Sequence, residues 1–363
     1  MTELKQNIDT LVIGGGQAGL VMGYYLSKAG ISYQIIESNS RIGDSWRKRY
    51  DSLVLFTPRS HSALPGLNVP GEKDGYPTKD EIADYLEDYA NHFGLPIILE
   101  TCIISLKQSD SGGFVAIADF GNEIYCHSVI IATGAFQLPN IPKIARNFSK
   151  DVLQFSTEGY KRPDQIPSGT VLVVGDGATG RQIALELAKN NHQVILACGR
   201  KKFLVPDRIL GKSIFWWMEK LGLLTASKDT IIGKRIMRND SFPARGLDSK
   251  RLKKSGVIIS SRLIEVNGHE VSFSDVQTAE VDSVVWATGY RDDTDWIKIQ
   301  EVKDEKGNFI HQRGISPVRG LYFIGRDWQW TVGSALLLGV GADASFLVSH
   351  IERTVKATSH SNL

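Results

Sequence analysis

The sequence predicts a mixed α/β fold made of two dinucleotide-binding (Rossmann-like) units, parallel sheets flanked by helices, with the second unit inserted into the first. Two observations carry this. An apolar strand, a glycine-rich turn and a helix occur at residues 9–29 and again at 170–189, and each repeat leads to a later strand ending in Ala-Thr-Gly, at 132–134 and 287–289. The length of 363 residues also exceeds one ordinary domain. The expected division is 1–160 for the first part of the first domain, 161–290 for the second domain and 291–363 for the return.

The elements follow in order. Asp9–Ile13 reads as a buried parallel strand before GGGQAGL at Gly14–Leu20, and Ala18–Ala29 as a helix. Tyr33–Ile36 is a strand closing on Glu37. Residues Arg41–Pro77, rich in Gly, Pro and Ser, read as irregular site-forming structure. Thr78 and Glu81 have the spacing of a capping box ahead of a helix carrying Ile82, Leu86, Tyr89 and Phe93. Strands are expected at Leu95–Leu106, Phe114–Phe120, Glu123–His127 and Val129–Gly134. After a polar connector at Ser156–Gly169 come the strand Thr170–Val174, the turn GDGATG, the helix Thr179–Lys189 and the strand Gln193–Ala197. A variable stretch runs to about Lys254. Strands return at Val257–Ser260, Val271–Ser274, Val284–Gly289 and Leu321–Gly325, and a helix closes the chain from about Ser334 to Arg353.

Composition removes other classes. Hydrophobic residues at 42% and charged residues at 23% exclude a mainly disordered chain. Net charge is +2 with no block of like charge, which points to no nucleic-acid partner and no anionic membrane surface. No apolar run is long enough for a spanning helix. Cys102, Cys126 and Cys198 are scattered and no CxxC occurs, so no disulfide framework, thiol pair or zinc site is expected, and the metal set is none. The N-terminus lacks a signal pattern, and a cytoplasmic setting is expected.

Gly14, Gly16 and Gly19 form the first GxGxxG. The first Gly allows the sharp turn, the second admits a pyrophosphate against the backbone, and the third lets helix and strand approach. The helix N-terminus then offers free N–H groups. Glu37, 18 residues past Gly19, is placed to accept from ribose hydroxyls. Gly175, Gly177 and Gly180 form the second cradle, but 20 residues past Gly180 stands Arg200-Lys201-Lys202 instead of an acid. A guanidinium there can pair with a 2′-phosphate that a carboxylate would repel. The first site is therefore expected to take FAD and the second NADPH, one giving a hydride and the other accepting it.

These features resemble the flavin-containing monooxygenases, in particular small bacterial members of the class B flavoprotein monooxygenases related to plant indole-pyruvate monooxygenases. The resemblance runs through Gly43-Asp44-Ser45-Trp46-Arg47, Arg49-Tyr50-Asp51-Ser52-Leu53 and Thr57-Pro58. It continues in Leu64-Pro65-Gly66, Ile130–Gly134, Ala287–Tyr290, Trp328-Gln329 and Ser334–Asp343. It implies FAD contacts from Gln17, Ala18, Arg41, Asp44, Ser45, Trp46, Ile103, Ala132, Thr133, Gly134, Gly325 and Gln329. For the coenzyme it implies Ala178, Thr179, Ala287, Thr288 and Gly289 beside the second glycine set. It further implies a flavin C4a-hydroperoxide formed with dioxygen, a small-molecule substrate oxygenated at sulfur, nitrogen or a carbonyl, and a homodimer as the family's common assembly.

The chain departs from the family where Phe-x-Gly-x-x-x-His is usual. Phe148 matches, while Lys150 stands for Gly and Gln154 for His; the usual active-site Asn has no match near Phe56-Thr57-Pro58. The catalytic set is thus open, with Thr57 and Gln154 as candidates, and the altered loop leads us to expect leakage of hydrogen peroxide. Two other functions fit the same motifs: an NADPH-dependent flavin reductase or oxidase, and a non-catalytic sensor of NADPH or oxygen.

Overall fold

The computed structural model describes residues 4–200, 202–239 and 242–361. The first half runs β1 (Asn7–Ile13), α1 (Gln17–Lys28), β2 (Tyr33–Ile36), α2 (Asp44–Arg47), α3 (Lys79–His92), β3 (Ile97–Ile98), β4 (Ile103–Gln108), β5 (Phe114–Ala118), β6 (Glu123–Ile131) and β7 (Leu138–Pro139). The second runs β8 (Leu153–Ser156), β9 (Thr170–Val174), α4 (Ala178–Lys189) and β10 (Gln193–Ala197). A long connection follows, holding β11 (Leu204–Val205), β12 (Arg208–Ile209), β13 (Lys212–Ser213), α5 (Ile214–Lys220), α6 (Ile231–Asn239), β14 (Phe242–Pro243) and α7 (Ser249–Lys254). Then come β15 (Ile258–Ser260), β16 (Leu263–Asn267), β17 (Glu270–Phe273), β18 (Thr278–Glu280), β19 (Ser283–Trp286), β20 (Tyr290–Arg291), β21 (Leu321–Phe323) and α8 (Leu337–Ser361).

One sheet has the order β3-β2-β1-β6-β5-β4, with β21 also paired to β6; the other has the order β15-β10-β9-β19-β8. The central strands β1, β2, β9, β10 and β19 pair in parallel. Their apolar runs follow, because a parallel strand is covered on both faces. Leu11, Val12, Val171, Leu172 and Val173 have no exposure at all. α8 packs on α1 over the first sheet, where Leu20, Val21, Val340, Ala344 and Leu347 share one core.

β8 hydrogen-bonds to β19, so the chain has joined the second sheet by Leu153, ahead of the boundary expected at 160. The outward and return crossings lie side by side as an antiparallel ribbon, Tyr290 opposite Pro139 and Arg291 opposite Leu138.

Local chemistry explains where the expected elements hold and shift. The capping box is present: the Glu81 N–H donates to Thr78 Oγ1 at 3.2 Å, and the Thr78 N–H donates to Glu81 Oε2 at 2.7 Å. The strand expected at Leu95–Leu106 breaks in two around Glu100, whose φ is +52°. The two strands expected between Glu123 and Gly134 are one continuous β6. α8 starts three residues past Ser334, because the Ser334 hydroxyl already accepts from the N–H groups of Trp330 and Thr331, both at 3.0 Å. β16 and β18, which the sequence reading missed, flank β17 in a small antiparallel sheet.

Candidate functional site

The two glycine turns are built alike. The Gly14 N–H donates to Ile36 O at 2.8 Å, and the Gly175 N–H to Ala197 O at 3.0 Å. φ is +110° at Gly14 and +108° at Gly175, the left-handed region that favours glycine. A Cβ at Gly19 would lie 1.9 Å from Gly14 O, and one at Gly180 the same distance from Gly175 O. A Cβ at Gly14 would meet Ala132 O at 2.6 Å, and one at Gly175 would meet Ala287 O at 2.3 Å. Each Ala-Thr-Gly turn therefore closes on its own cradle.

Glycine also stands at the N-cap of α1 and of α4, as Gly16 and Gly177, and neither helix has a side-chain cap. The first N–H groups of both helices are left for a ligand. A Cβ at Gly16 would meet nothing within 4 Å, so open space lies where a pyrophosphate would sit. At Gly177 the nearest atom is Lys202 Nζ, 3.9 Å away. Both cradles fit a dinucleotide.

The carboxylates differ. Glu37 sits at the end of β2, where Oε2 accepts the Gly15 N–H at 2.7 Å and Oε1 accepts the Asn39 N–H at 2.8 Å. In the second half the acid is in the turn itself. Asp176 Oδ1 accepts the Gly199 N–H at 3.3 Å, and Oδ2 lies 3.5 Å from the Arg181 guanidinium. The end of β10 is thus free of acid, and Arg200 follows it, exposed. Lys201 lies outside the described residues.

A cleft of about 400 Å³ opens between the two halves. It brings together Gly14, Gly16, Gln17, Ala18, Glu37, Ser45, Trp46, Thr57, Ala132, Thr133, Gly134 and Gly325 from the first half, with Ala178 and Thr179 from the second. Gln17 ties α1 to two distant segments. Its Oε1 accepts from Trp46 Nε1 at 3.2 Å, and its Nε2 donates to Ala335 O at 3.3 Å. Gly325 allows the C-terminal segment to close on α1, since a Cβ there would lie 2.8 Å from Ala18 Cβ. Thr57 is buried, with its hydroxyl 2.7 Å from Ser62 Oγ.

Other expected residues lie elsewhere. Gln154 does not line the cleft. On β8 its Oε1 accepts from Trp286 Nε1 at 3.0 Å and its Nε2 donates to Ala145 O at 3.1 Å, so it is a brace within the second unit. Arg41 is exposed and paired with Glu87 of α3 at 2.5 Å; Asp44 faces Arg47 within α2 at 3.3 Å, and Arg47 joins α2 to α3 through Asp84 at 2.8 Å and Glu87 at 3.1 Å. Ile103 is buried in the core that holds Leu11 and Phe323. Gln329 is wholly buried behind the C-terminal segment, beside Gly314. Thr288 Oγ1 donates to Asn140 O at 2.5 Å, and Gly289 follows it at φ +84°. Gly175, Gly177, Gly180, Ala287, Thr288, Gly289 and Arg200 form the second cradle's wall without lining the cleft itself. Phe215 is buried, its ring stacked 6.3 Å from that of Phe56, while the neighbouring Trp216 and Trp217 do not line the cleft.

Arg49 and Tyr50 belong to the stretch that carries the resemblance, and Tyr290 to the second crossing, but Phe136, Thr157 and Gln182 carried no expectation; all six line the cleft. Arg49 donates to Tyr290 Oη, and its guanidinium lies 5.1 Å from the Tyr290 ring and 5.6 Å from the Phe136 ring. Tyr290 directly follows the second Ala-Thr-Gly, and Phe136 follows the first by two residues. The available signal was that shared position.

Cys126 and Cys198 are unsuited to thiol chemistry: burial pushes their thiols up to about 12 and about 11. Among the described residues, no group of three potential metal ligands and no disulfide is present. No helix among them is long and apolar enough to cross a membrane.

Comparison with known proteins gives a consistent frame. A family model described as pyridine nucleotide-disulphide oxidoreductase matches residues 11–214. A CzcO-like oxidoreductase of Geobacillus kaustophilus is 49% identical over 96% of this chain and 99% of its own. The indole-3-pyruvate monooxygenase YUCCA4 of rice is 26% identical over 94% of this chain and 86% of its own. A flavin-containing monooxygenase structure from Stenotrophomonas maltophilia superposes with a TM-score of 0.80, covering 98% of this chain and all of that one, at 22% identity. That last likeness is one of fold.

Proposed function

Because the chain belongs to the pyridine nucleotide-disulphide oxidoreductase family and is an oxidoreductase, we propose that it is an NADPH-dependent, FAD-containing monooxygenase acting on a small molecule and dioxygen. One observation carries the reading: the N-termini of α1 and α4 open onto the same cleft, at Gly16–Ala18 and Ala178–Thr179. Two dinucleotides seated there have their reactive ends in one space, as transfer between them requires.

In this reading α1 and Glu37 hold the FAD, while α4, Arg200 and Lys201 hold the coenzyme. FAD, when bound, supplies the two-electron relay and the reaction with oxygen. The protein's share is orientation and exclusion of water. Trp46, Leu55, Phe56 and Phe136 line the cleft with apolar surface, and the buried Thr57 hydroxyl lies beside it, hydrogen-bonded to Ser62 Oγ. Gln154 has no catalytic part in this reading; its side chain bonds to Trp286 and Ala145 instead. The domain division follows the paired crossings at Leu138–Pro139 and Tyr290–Arg291 better than the boundary near 160.

The rice relative's name supports oxygenation over simple electron transfer. A reductase that works through a protein dithiol is disfavoured by the unreactive Cys126 and Cys198. The test is oxygen uptake with NADPH, with and without an organic sulfide or a 2-oxo acid, alongside product analysis. Anaerobic bleaching of the flavin by NADPH with no oxygenated product from any such compound would favour the reductase.

A further inference from the structure

The connection between β10 and β15 is far longer than a crossover helix needs. Residues 200–254 carry 15 Lys and Arg against 5 Asp and Glu, whereas the rest of the chain carries 27 against 35. The overall balance near zero hides this basic segment. Arg200, Lys201 and Lys202 are assigned to the second cradle; of the other 12 cations, Arg208 faces Asp74 and Arg245 lies over the Tyr76 ring and donates to Leu55 O, so these two are held by the protein itself.

The same segment exposes large apolar side chains at separate tips. Leu210 is 87% exposed at the turn between β12 and β13, Leu221 is 66% exposed at the end of α5, and Ile231 is 88% exposed at the start of α6. Scattered singly, such residues are ordinary on a soluble surface; here they share one connection with the excess of basic charge. α6 has Lys234, Arg235 and Arg238 and no acid, with Ile232 and Met237 exposed as well. It is anchored through Gly233, where a Cβ would lie 1.9 Å from Ser227 O. Two ammonium groups, Lys212 and Lys220, lie 5.9 Å and 6.0 Å from the Trp216 ring. An apolar helix face with an all-basic polar face, and Lys beside Trp, suit the headgroup region of a bilayer.

We propose that this connection docks the protein peripherally on an anionic lipid surface. Charge complementarity selects that occupant. A second copy would bring two basic faces together across a two-fold axis, which like charges oppose. Protruding single side chains also suit a deformable apolar phase better than a shaped protein groove. This is surface binding, and it requires no spanning helix.

The test is co-sedimentation of the purified full-length protein with vesicles of phosphatidylglycerol and phosphatidylcholine, against phosphatidylcholine alone. Binding is expected to the anionic vesicles only, and to fall as salt is raised. Replacing Lys234, Arg235 and Arg238 with Gln is expected to weaken it about a hundredfold. Leu210→Asp and Ile231→Asp should each weaken it about tenfold or more. Thermal melting and flavin content verify that each variant is folded. Absence of the protein from the anionic-vesicle pellet overturns the proposal, as does wild-type binding by all the variants. A concentration-dependent dimer that Ile231→Asp abolishes also overturns it, in favour of a second copy on this face.

Discussion

Asp176 ties the second half's glycine turn to the neighbouring strand end from the side opposite to Glu37 in the first half. Glu37 reaches from the strand end back to the Gly15 N–H at 2.7 Å; Asp176 reaches from the turn out to the Gly199 N–H at 3.3 Å. The same two loops are fastened, but in the second half the negative charge has left the place where a 2′-phosphate would lie. Arg200→Ala should therefore weaken NADPH binding far more than NADH binding. A charge-assisted hydrogen bond is worth about 1.5–3 kcal/mol, roughly ten- to hundredfold. Equal losses for both coenzymes, measured by titration of the purified protein, would remove Arg200 from the phosphate site.

The glycines separate folding from ligand binding. Gly16→Val enters open space, so the protein should fold and melt like the flavin-free wild type, lacking the flavin absorbance. Gly19→Ala drives a Cβ onto Gly14 O and should lower the stability of the first unit itself. Thermal melting with flavin content distinguishes the two, and full occupancy in Gly16→Val would refute the first cradle as the FAD site.

Arg49 couples the halves through Phe136 and Tyr290. Tyr290→Phe removes the hydroxyl that meets Arg49 and Thr157 Oγ1 but keeps the ring. Arg49→Met removes the charge. Each is expected to destabilise by about 0.5–2 kcal/mol, and a double-mutant cycle should show coupling. Strict additivity of the two losses would mean that the contact carries no energy.

Gln154→His is expected to cost about 0.5–1.5 kcal/mol, because the bond from Trp286 Nε1 to the exposed Gln154 side chain is lost or replaced. It should leave hydrogen peroxide release unchanged. Lys150 is exposed and is not among the residues with positive φ, so Lys150→Gly should change neither. The leak expected from the altered loop thus loses its stated cause. A large fall in peroxide release in the double variant would restore it.

Acid should loosen the C-terminal segment. Burial pushes His311 down to about 4, reinforced by Lys228 and Arg326. A histidine lowered in the folded state binds its proton more readily when unfolded. Its share of stability is therefore present above about 6.5 and lost as pH falls towards 4. The urea midpoint of His311→Gln should fall less between neutral pH and pH 5 than that of the wild type.

Much of this was legible in the sequence because backbone geometry leaves a residue signature. Only glycine survives at Gly14 and Gly19, and Thr78 with Glu81 has one spacing that caps a helix. β9, β10 and β2 have the expected ends because covered parallel strands are mostly apolar, with polar residues confined to Thr170, Gln193 and Gln34. The cleft's middle was less legible. Arg49 and Tyr290 are 241 residues apart and meet only through the packing of two units. Gln154 aligned with a family position, yet whether that position faces a cleft or Trp286 is decided by the sheet. The basic connection is hidden in the whole-chain balance, because the acids of the remaining chain offset its Lys and Arg.

The paired crossings of β7 and β20 have a consequence for how this protein could have been assembled and how it can be taken apart. Where two strands lie antiparallel, residues directly opposite have Cα atoms about 4.5–5.5 Å apart. Pro139 and Tyr290 stand in that relation. Everything between them leaves and returns at almost one point, so the intervening stretch is a cassette. Exchanging it for the matching stretch of a relative rejoins the chain without spanning any distance. Coenzyme preference can thus be swapped, by evolution or by design, while the surrounding unit and its own cradle stay intact.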